Sequence, residues 1–313
     1  MRDFALDLSR YDTLRRLVQD KRKRVVVSFG GGGVPGICAN LGLAHLLEQL
    51  EVRPHVAQIW GTSAGAVVGG GWASGSSARR ILEEVCKLDR RGTVDVQWRR
   101  LLTALLLRPF GRPLPDGLVG ARHFANAVQQ GLSVPTFEEC PTPFRCIAVT
   151  DDGTLSRKVF RSGPLLPAIM SSMSLPGIVV PFAHADGATY YDGGLIEKTP
   201  LLSPIAEHAR LSEGRELLLI GSHFDNEASK TAATRGFLAR FVQTMYAMET
   251  VAWDYQLAEA RQRKDVTLLL LNPHNDDRSL FDFSRAERNF EQAFTAFADR
   301  LQNGKLAFGL GTV

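Results

Sequence analysis

Gly61-Thr62-Ser63-Ala64-Gly65 follows an apolar run and opens a segment of small residues that reads as the start of a helix. A Gly-x-Ser-x-Gly pentapeptide does chemistry when a strand enters a turn so tight that the serine adopts a strained backbone and its hydroxyl projects from the sheet edge. Ser63 is therefore a candidate nucleophile. Gly61 and Gly65 are the elbow glycines, because side chains there would collide with the incoming strand and the outgoing helix. The competing reading is plain close packing of a helix on a strand, and the pentapeptide alone does not choose between the two.

Upstream, Arg24-Val25-Val26-Val27-Ser28-Phe29 has the β-branched run of a buried parallel strand and breaks into Gly30-Gly31-Gly32-Gly33-Val34-Pro35-Gly36. Ala39, Leu43, Leu46, Leu47 and Leu50 then recur at helical spacing, which predicts a helix over 38–50. Pro35 or Gly36 stands at its start, where a missing N–H is tolerated. A strand, a glycine loop and a helix N-terminus form a nest of backbone donors for negative charge. Two charges fit. One is the pyrophosphate of a dinucleotide, since Gly31-x-Gly33-x-x-Gly36 matches the Rossmann fingerprint and Glu51 lies near the expected place of a ribose-binding acid. The other is the oxyanion of an acyl-transfer intermediate formed at Ser63, held by the N–H groups of Gly31, Gly32 and Gly33.

Tyr190-Tyr191-Asp192-Gly193-Gly194-Leu195-Ile196-Glu197-Lys198-Thr199-Pro200 decides between them by placing an acid and two glycines at the end of an aromatic, strand-like segment. Alone, Asp-Gly-Gly is most often a turn. The glycine loop, Gly-Thr-Ser-Ala-Gly and Asp-Gly-Gly, in that order, together resemble the patatin-like phospholipase family. Ser171-Ser172-Met173-Ser174-Leu175-Pro176-Gly177 is similar to the small-residue and proline block those proteins carry before their aspartate. The resemblance runs from residue 24 to residue 202, and the chain beyond 203 adds no matching motif. It implies a patatin-like, three-layer α/β/α fold with a central, mostly parallel sheet. It also implies a serine lipid acyl hydrolase, a phospholipase A or esterase, acting on phospholipids or other acyl-ester lipids. Ser63 would be its nucleophile and Asp192, in the loop with Gly193 and Gly194, the base of a Ser-Asp dyad; no cofactor or metal is implied.

A conventional α/β-hydrolase places a histidine after its acid. His208, His223 and His274 follow Asp192, but none sits in a distinguishing loop, so no role is assigned to them. Two departures from the family pattern stand out. Pro35 occupies the place of a usual Arg or Lys before the last loop glycine, which keeps open a catalytically silent relative that binds lipid or a protein partner. Glu197 and Lys198 stand where the family often has small or amide residues and are expected at the rim.

With 313 residues, no low-complexity linker and no internal repeat, the chain reads as a charged leader, 1–23, followed by one α/β domain, 24–313. Within the leader, Leu14, Leu17 and Val18 mark one side of a short helix. Further strands are expected at 144–150, 159–161, 216–222 and 266–271, and helices at 64–74, 77–88, 120–130, 235–263 and 285–303. This alternation argues for a parallel or mixed sheet covered on both faces.

Cys38, Cys86, Cys140 and Cys146 are widely spaced and read as free thiols in a reducing compartment. An amino terminus with Arg2, Asp3, Asp7 and Arg10 lacks the apolar core of a signal peptide, and no apolar run is long enough to span a bilayer. A cytoplasmic protein is expected. Residues 1–120 hold 18 Lys and Arg against 11 Asp and Glu. That surplus suits an anionic membrane surface, nucleic acid or simple solvation, but no nucleic-acid-binding motif accompanies it. In Trp98–Pro113, Trp98, Leu101, Leu102, Leu105 and Leu106 form an apolar helical face with arginines at its ends. The segment reads either as cover for a core or as a peripheral membrane contact.

Overall fold

The computed structural model describes residues 6–88, 95–96, 117, 119–184, 186–211, 214–224, 237–273, 282–302 and 308–309. A 3-10 turn, Leu8–Tyr11, leads into α1 (Asp12–Gln19), β1 (Lys23–Phe29), α2 (Gly33–Gln49), a second 3-10 turn (Arg53–His55), β2 (Val56–Thr62), α3 (Ala64–Ala73) and α4 (Ala78–Cys86). The short β3 (Asp95–Val96) and β4 (Val119–Gly120) precede α5 (Arg122–Gly131), β5 (Phe144–Thr150), β6 (Arg157–Phe160) and α6 (Leu165–Ser172). Then come β7 (Tyr190–Asp192), the one-turn α7 (Gly194–Glu197), α8 (Leu202–Leu211), β8 (Glu216–Ser222), α9 (Phe237–Arg261), β9 (Val266–Leu271), α10 (Ala286–Gln302) and β10 (Phe308–Gly309).

The main sheet runs β10-β9-β8-β1-β2-β5-β6, with β7 also on β5, while β3 and β4 form a separate ribbon. Strands β9, β8, β1, β2 and β5 are parallel; β6, β7 and β10 are antiparallel. Side chains of a strand alternate between its faces, and here both faces are dry. Val25, Val27 and Phe29 of β1 join one core with Leu218 and Ile220 of β8, under α2, α3, α4 and α10. Val26, Leu217 and Leu219 join a second, smaller core under α8 and α9, with Ile205 and Ala260. Two-sided burial explains why these strands read as continuous apolar runs, and it makes the architecture three layers, α/β/α.

The expected strands at 144–150, 216–222 and 266–271 have the observed bounds, and 159–161 appears as β6. The helix expected over 38–50 begins earlier, at Gly33. The first turn of a helix has no internal acceptors for its N–H groups, so glycines and Pro35 sit there without losing a hydrogen bond.

The pairing along one edge of β5 positions the site. Thr62 of β2 pairs with Ile147, and Asp192 of antiparallel β7 pairs with the next residue, Ala148. β2 and β7 therefore meet end to end, which sets Ser63, the residue after β2, beside Asp192, the last residue of β7.

Candidate active site

Ser63 leaves β2 with φ 54° and ψ −121° and becomes the N-cap of α3. A positive φ on a residue with a Cβ stores strain, so something must hold it. The Ser63 N–H donates to Ser172 Oγ at 2.8 Å, and that hydroxyl donates to the Ile147 carbonyl at 2.5 Å. The Ser63 carbonyl accepts from the Ala66 N–H at 2.8 Å, which starts the helix. The elbow glycines are required by space: a Cβ on Gly61 would run into the Gly65 carbonyl, and one on Gly65 into the Phe29 carbonyl.

Asp192 is buried, 2% exposed, and is braced from the same block as the serine, its N–H donating to the Ser174 carbonyl at 3.0 Å. Its Oδ1 accepts from the Gly194 N–H at 2.7 Å and its Oδ2 from Ser63 Oγ at 2.7 Å. Burial pushes the Asp192 carboxyl up to about 7. The hydrogen bonds from Ser63 and Gly194 pull it back, the Glu249 carboxylate adds to the rise, and Lys198 opposes it. A carboxylate poised near neutrality within reach of a strained serine hydroxyl can accept that proton.

The glycine loop flanks this pair. Gly32, at φ 145°, is the N-cap of α2, and a Cβ there would strike the Phe224 ring. Of the three amides expected to face an oxyanion, that of Gly31 is already engaged, donating to the Lys198 carbonyl at 2.8 Å. Gly32 and Gly33 stand at the head of α2, beside the positive end of the helix dipole. Gly31, Gly32 and Gly33 line one cavity, open to solvent, with Ser63, Asp192 and Gly194. Ile37, Phe124, Met170, Leu175 and Phe283 make most of its wall apolar.

The dinucleotide reading fails on distance. Glu51 lies beyond the C-terminal end of α2, about 25 Å along the helix from the glycine loop, and pairs with Arg15 at 3.0 Å. The histidines are used elsewhere: His223 stacks on Trp253 and meets Thr199 Oγ1 through Nδ1 at 2.9 Å, and His208 Nε2 meets the Arg215 carbonyl at 3.0 Å. His274 and Trp98–Pro113 lie outside the described residues.

Glu197 and Lys198 correct the sequence expectation, because both are buried rather than at a rim. Glu197 caps the chain entering α8, accepting from the N–H groups of Leu201 at 2.7 Å and Ser203 at 3.0 Å and from Ser203 Oγ at 2.5 Å. Lys198 lines the cavity and pairs with Glu249 of α9, Nζ to Oε2 3.1 Å. The brace Ser172 was legible only as part of a small-residue block. Glu249 carries no motif at all.

A family model of patatin-like phospholipases matches residues 27–205, a stretch that contains the glycine loop, Ser63 and Asp192. The chain belongs to the patatin-like phospholipase family. An uncharacterised NTE family protein of Mycobacterium tuberculosis is 30% identical over 186 residues, 58% of this chain and 46% of that protein. A putative patatin-like phospholipase domain-containing protein of Caenorhabditis elegans is 30% identical over 178 residues, 56% of this chain and 15% of that protein. The chain thus spans about half the length of the mycobacterial relative and far less of the nematode one. Among solved structures, VipD from Legionella pneumophila aligns with TM-score 0.42 and 14% identity, covering 90% of this chain and 66% of that one. The type III effector ExoU aligns with TM-score 0.41 and 16% identity, covering 90% and 53%.

Proposed function

We propose that this protein is a lipid acyl hydrolase of the phospholipase A or esterase type, with Ser63 as nucleophile and Asp192 as its base. The observation that carries the reading is the 2.7 Å hydrogen bond from Ser63 Oγ to Asp192 Oδ2 on the floor of an apolar cavity. Asp192 takes the hydroxyl proton as Ser63 Oγ attacks the ester carbonyl. The oxyanion that forms is met by the Gly32 and Gly33 N–H groups. As the tetrahedral intermediate collapses, the leaving alkoxide takes the proton from Asp192 and an acyl-serine remains. Water, its proton accepted by Asp192, then attacks the acyl group, and the serine oxygen leaves with that proton, releasing a fatty acid.

The apolar lining suits acyl chains. Among the described residues no helix is long and apolar enough to cross a membrane. Labelling with a fluorophosphonate probe tests the nucleophile: the wild type should label and release fatty acid, and Ser63→Ala should do neither. A wild type that resists the probe while still binding lipid would favour a second reading, a silent lipid-binding relative, for which the engaged Gly31 amide is the motive.

A further inference from the structure

Among the described residues that line the cavity, the charged side chains are Asp192, Lys198 and Glu249, with the Ser63 hydroxyl and the Tyr246 phenol beside them. Asp192 is committed to Ser63 and Gly194. Lys198 is not committed in the same way. Its side chain is 9% exposed and lines the cavity, and its ammonium carries three N–H donors to place. Among the described residues it finds one carboxylate, Glu249 Oε2 at 3.1 Å, and the face of Tyr246, 5.2 Å from the ring centroid. Even the carboxylate contact is coulombic: Glu249 Oε2 is buried and takes no hydrogen bond, so the ammonium stands off the line such a bond needs. The side chain reaches this place from beside the reacting centre. Lys198 Cγ and Ser63 Cβ lie 3.7 and 3.3 Å from the point a Cβ on Gly31 would occupy.

We propose that Lys198 is the anion-recognising group of this cavity, and that it selects acyl esters bearing a phosphodiester over neutral acylglycerols. The proposal rests on Ser63 as the acyl-transfer serine only for where the ester lies. A phosphate oxygen supplies the aligned acceptor that Glu249 does not, and charge-assisted hydrogen bonds of this kind are among the stronger ones. Glu249 then acts as the resident counter-ion that Lys198 faces while no lipid is bound. Its helix, α9, lies beyond the stretch matched by the family model, so this pairing belongs to the chain's own C-terminal half.

The test uses short-chain lipids below their micelle concentrations, which removes any effect of surface charge. Calorimetric titration of the Ser63→Ala protein should show dihexanoylphosphatidylglycerol binding about tenfold or more tightly than dihexanoylglycerol. Lys198→Met in that background should erase the preference, and Lys198→Arg should keep most of it. With Ser63 intact, Lys198→Met should lower the ratio of kcat/KM for the phospholipid to that for the acylglycerol by a similar factor, carried mainly by KM. The double variant Lys198→Met/Glu249→Gln removes the charges together and gives the same readout should the single variant fold poorly. Equal binding of the two lipids by the parent, or a preference that survives loss of Lys198, overturns the proposal and leaves the pair as a strut between α7 and α9. Inorganic phosphate bound as tightly as the phospholipid overturns the lipid assignment in favour of a free-phosphate site. If the Ser63 protein releases no fatty acid but the Lys198-dependent preference persists, the hydrolase reading fails and the anion site stands.

Discussion

Asp192 is placed where two requirements pull apart. Burial raises its carboxyl from the ordinary value of 3.8 to about 7, while the role of base proposed for it needs it ionised. Turnover of a short soluble ester should therefore rise as pH climbs through about 7 and fall on the acid side. A flat profile between pH 5 and 9 would remove Asp192 from the role of base. Stability responds with the opposite sign. The folded protein holds this proton to higher pH than the unfolded chain does, so the stabilisation is complete below 3.8 and is lost as pH rises through about 7. Asp192→Asn, which has no charge to bury, should then be more stable than the wild type at pH 8. The gain should be about 1–4 kcal/mol, the upper end being the whole shift converted at about 1.4 kcal/mol per pKa unit. It should vanish near pH 4, while turnover falls to background at every pH. Denaturant titrations at the two pH values give the comparison, and a gain that did not change with pH would show that burial is not what raises this carboxyl.

The elements carry the site through a few backbone bonds, and those bonds show which parts of it the sequence announced. Strands β1, β5, β8 and β9 were legible because two-sided burial leaves an unbroken apolar run, and the elbow was legible because only glycines fit at 61 and 65. Ser172, Lys198 and Glu249 were not legible as individuals. Their roles arise when α6, α7 and α9 come together at the end of the sheet, and no local pattern encodes that meeting. Ser172 is the clearest case, since one hydroxyl ties the Ser63 N–H to the Ile147 carbonyl. Ser172→Ala leaves the strained Ser63 amide without its acceptor. It should cost about 1–3 kcal/mol of stability and lower kcat about tenfold or more with KM little changed; an unaltered kcat would mean the elbow holds its shape without the brace. Pro35 gives a second test at this scale. It is buried in the first turn of α2, so the basic residue that family resemblance suggests there has no water to reach. Pro35→Arg should lower stability by at least about 2 kcal/mol and reduce activity; a rise in activity would show that the loop retains room for a cation.

At the scale of the whole molecule, the charged leader turns out to share the main core. Tyr11, Leu14 and Val18 are buried in the same cluster as α2 and α10. Tyr11 Oη donates to the Ala298 carbonyl at 3.4 Å and accepts from Gln302 Nε2 at 2.7 Å, which joins the start of the described chain to its last long helix. Charge counting could not reveal this, because the residues that give the segment its polar composition, such as Arg10 and Arg22, are the exposed ones. We therefore propose that residues from the leader onward fold as one cooperative unit, with the α2–α10 layer closed at its edge by α1. Leu14 is 2% exposed, and Leu14→Ala should destabilise the protein by about 2–5 kcal/mol, as truncation of a buried leucine generally does. The loss should appear as a downward shift of one transition, seen alike by far-ultraviolet circular dichroism and by the fluorescence of buried Trp60 and Trp72, which report on the two cores. If the leader were an accessory laid on a finished domain, the same substitution would detach α1 alone, and the main transition would stay within about 0.5 kcal/mol of the wild type.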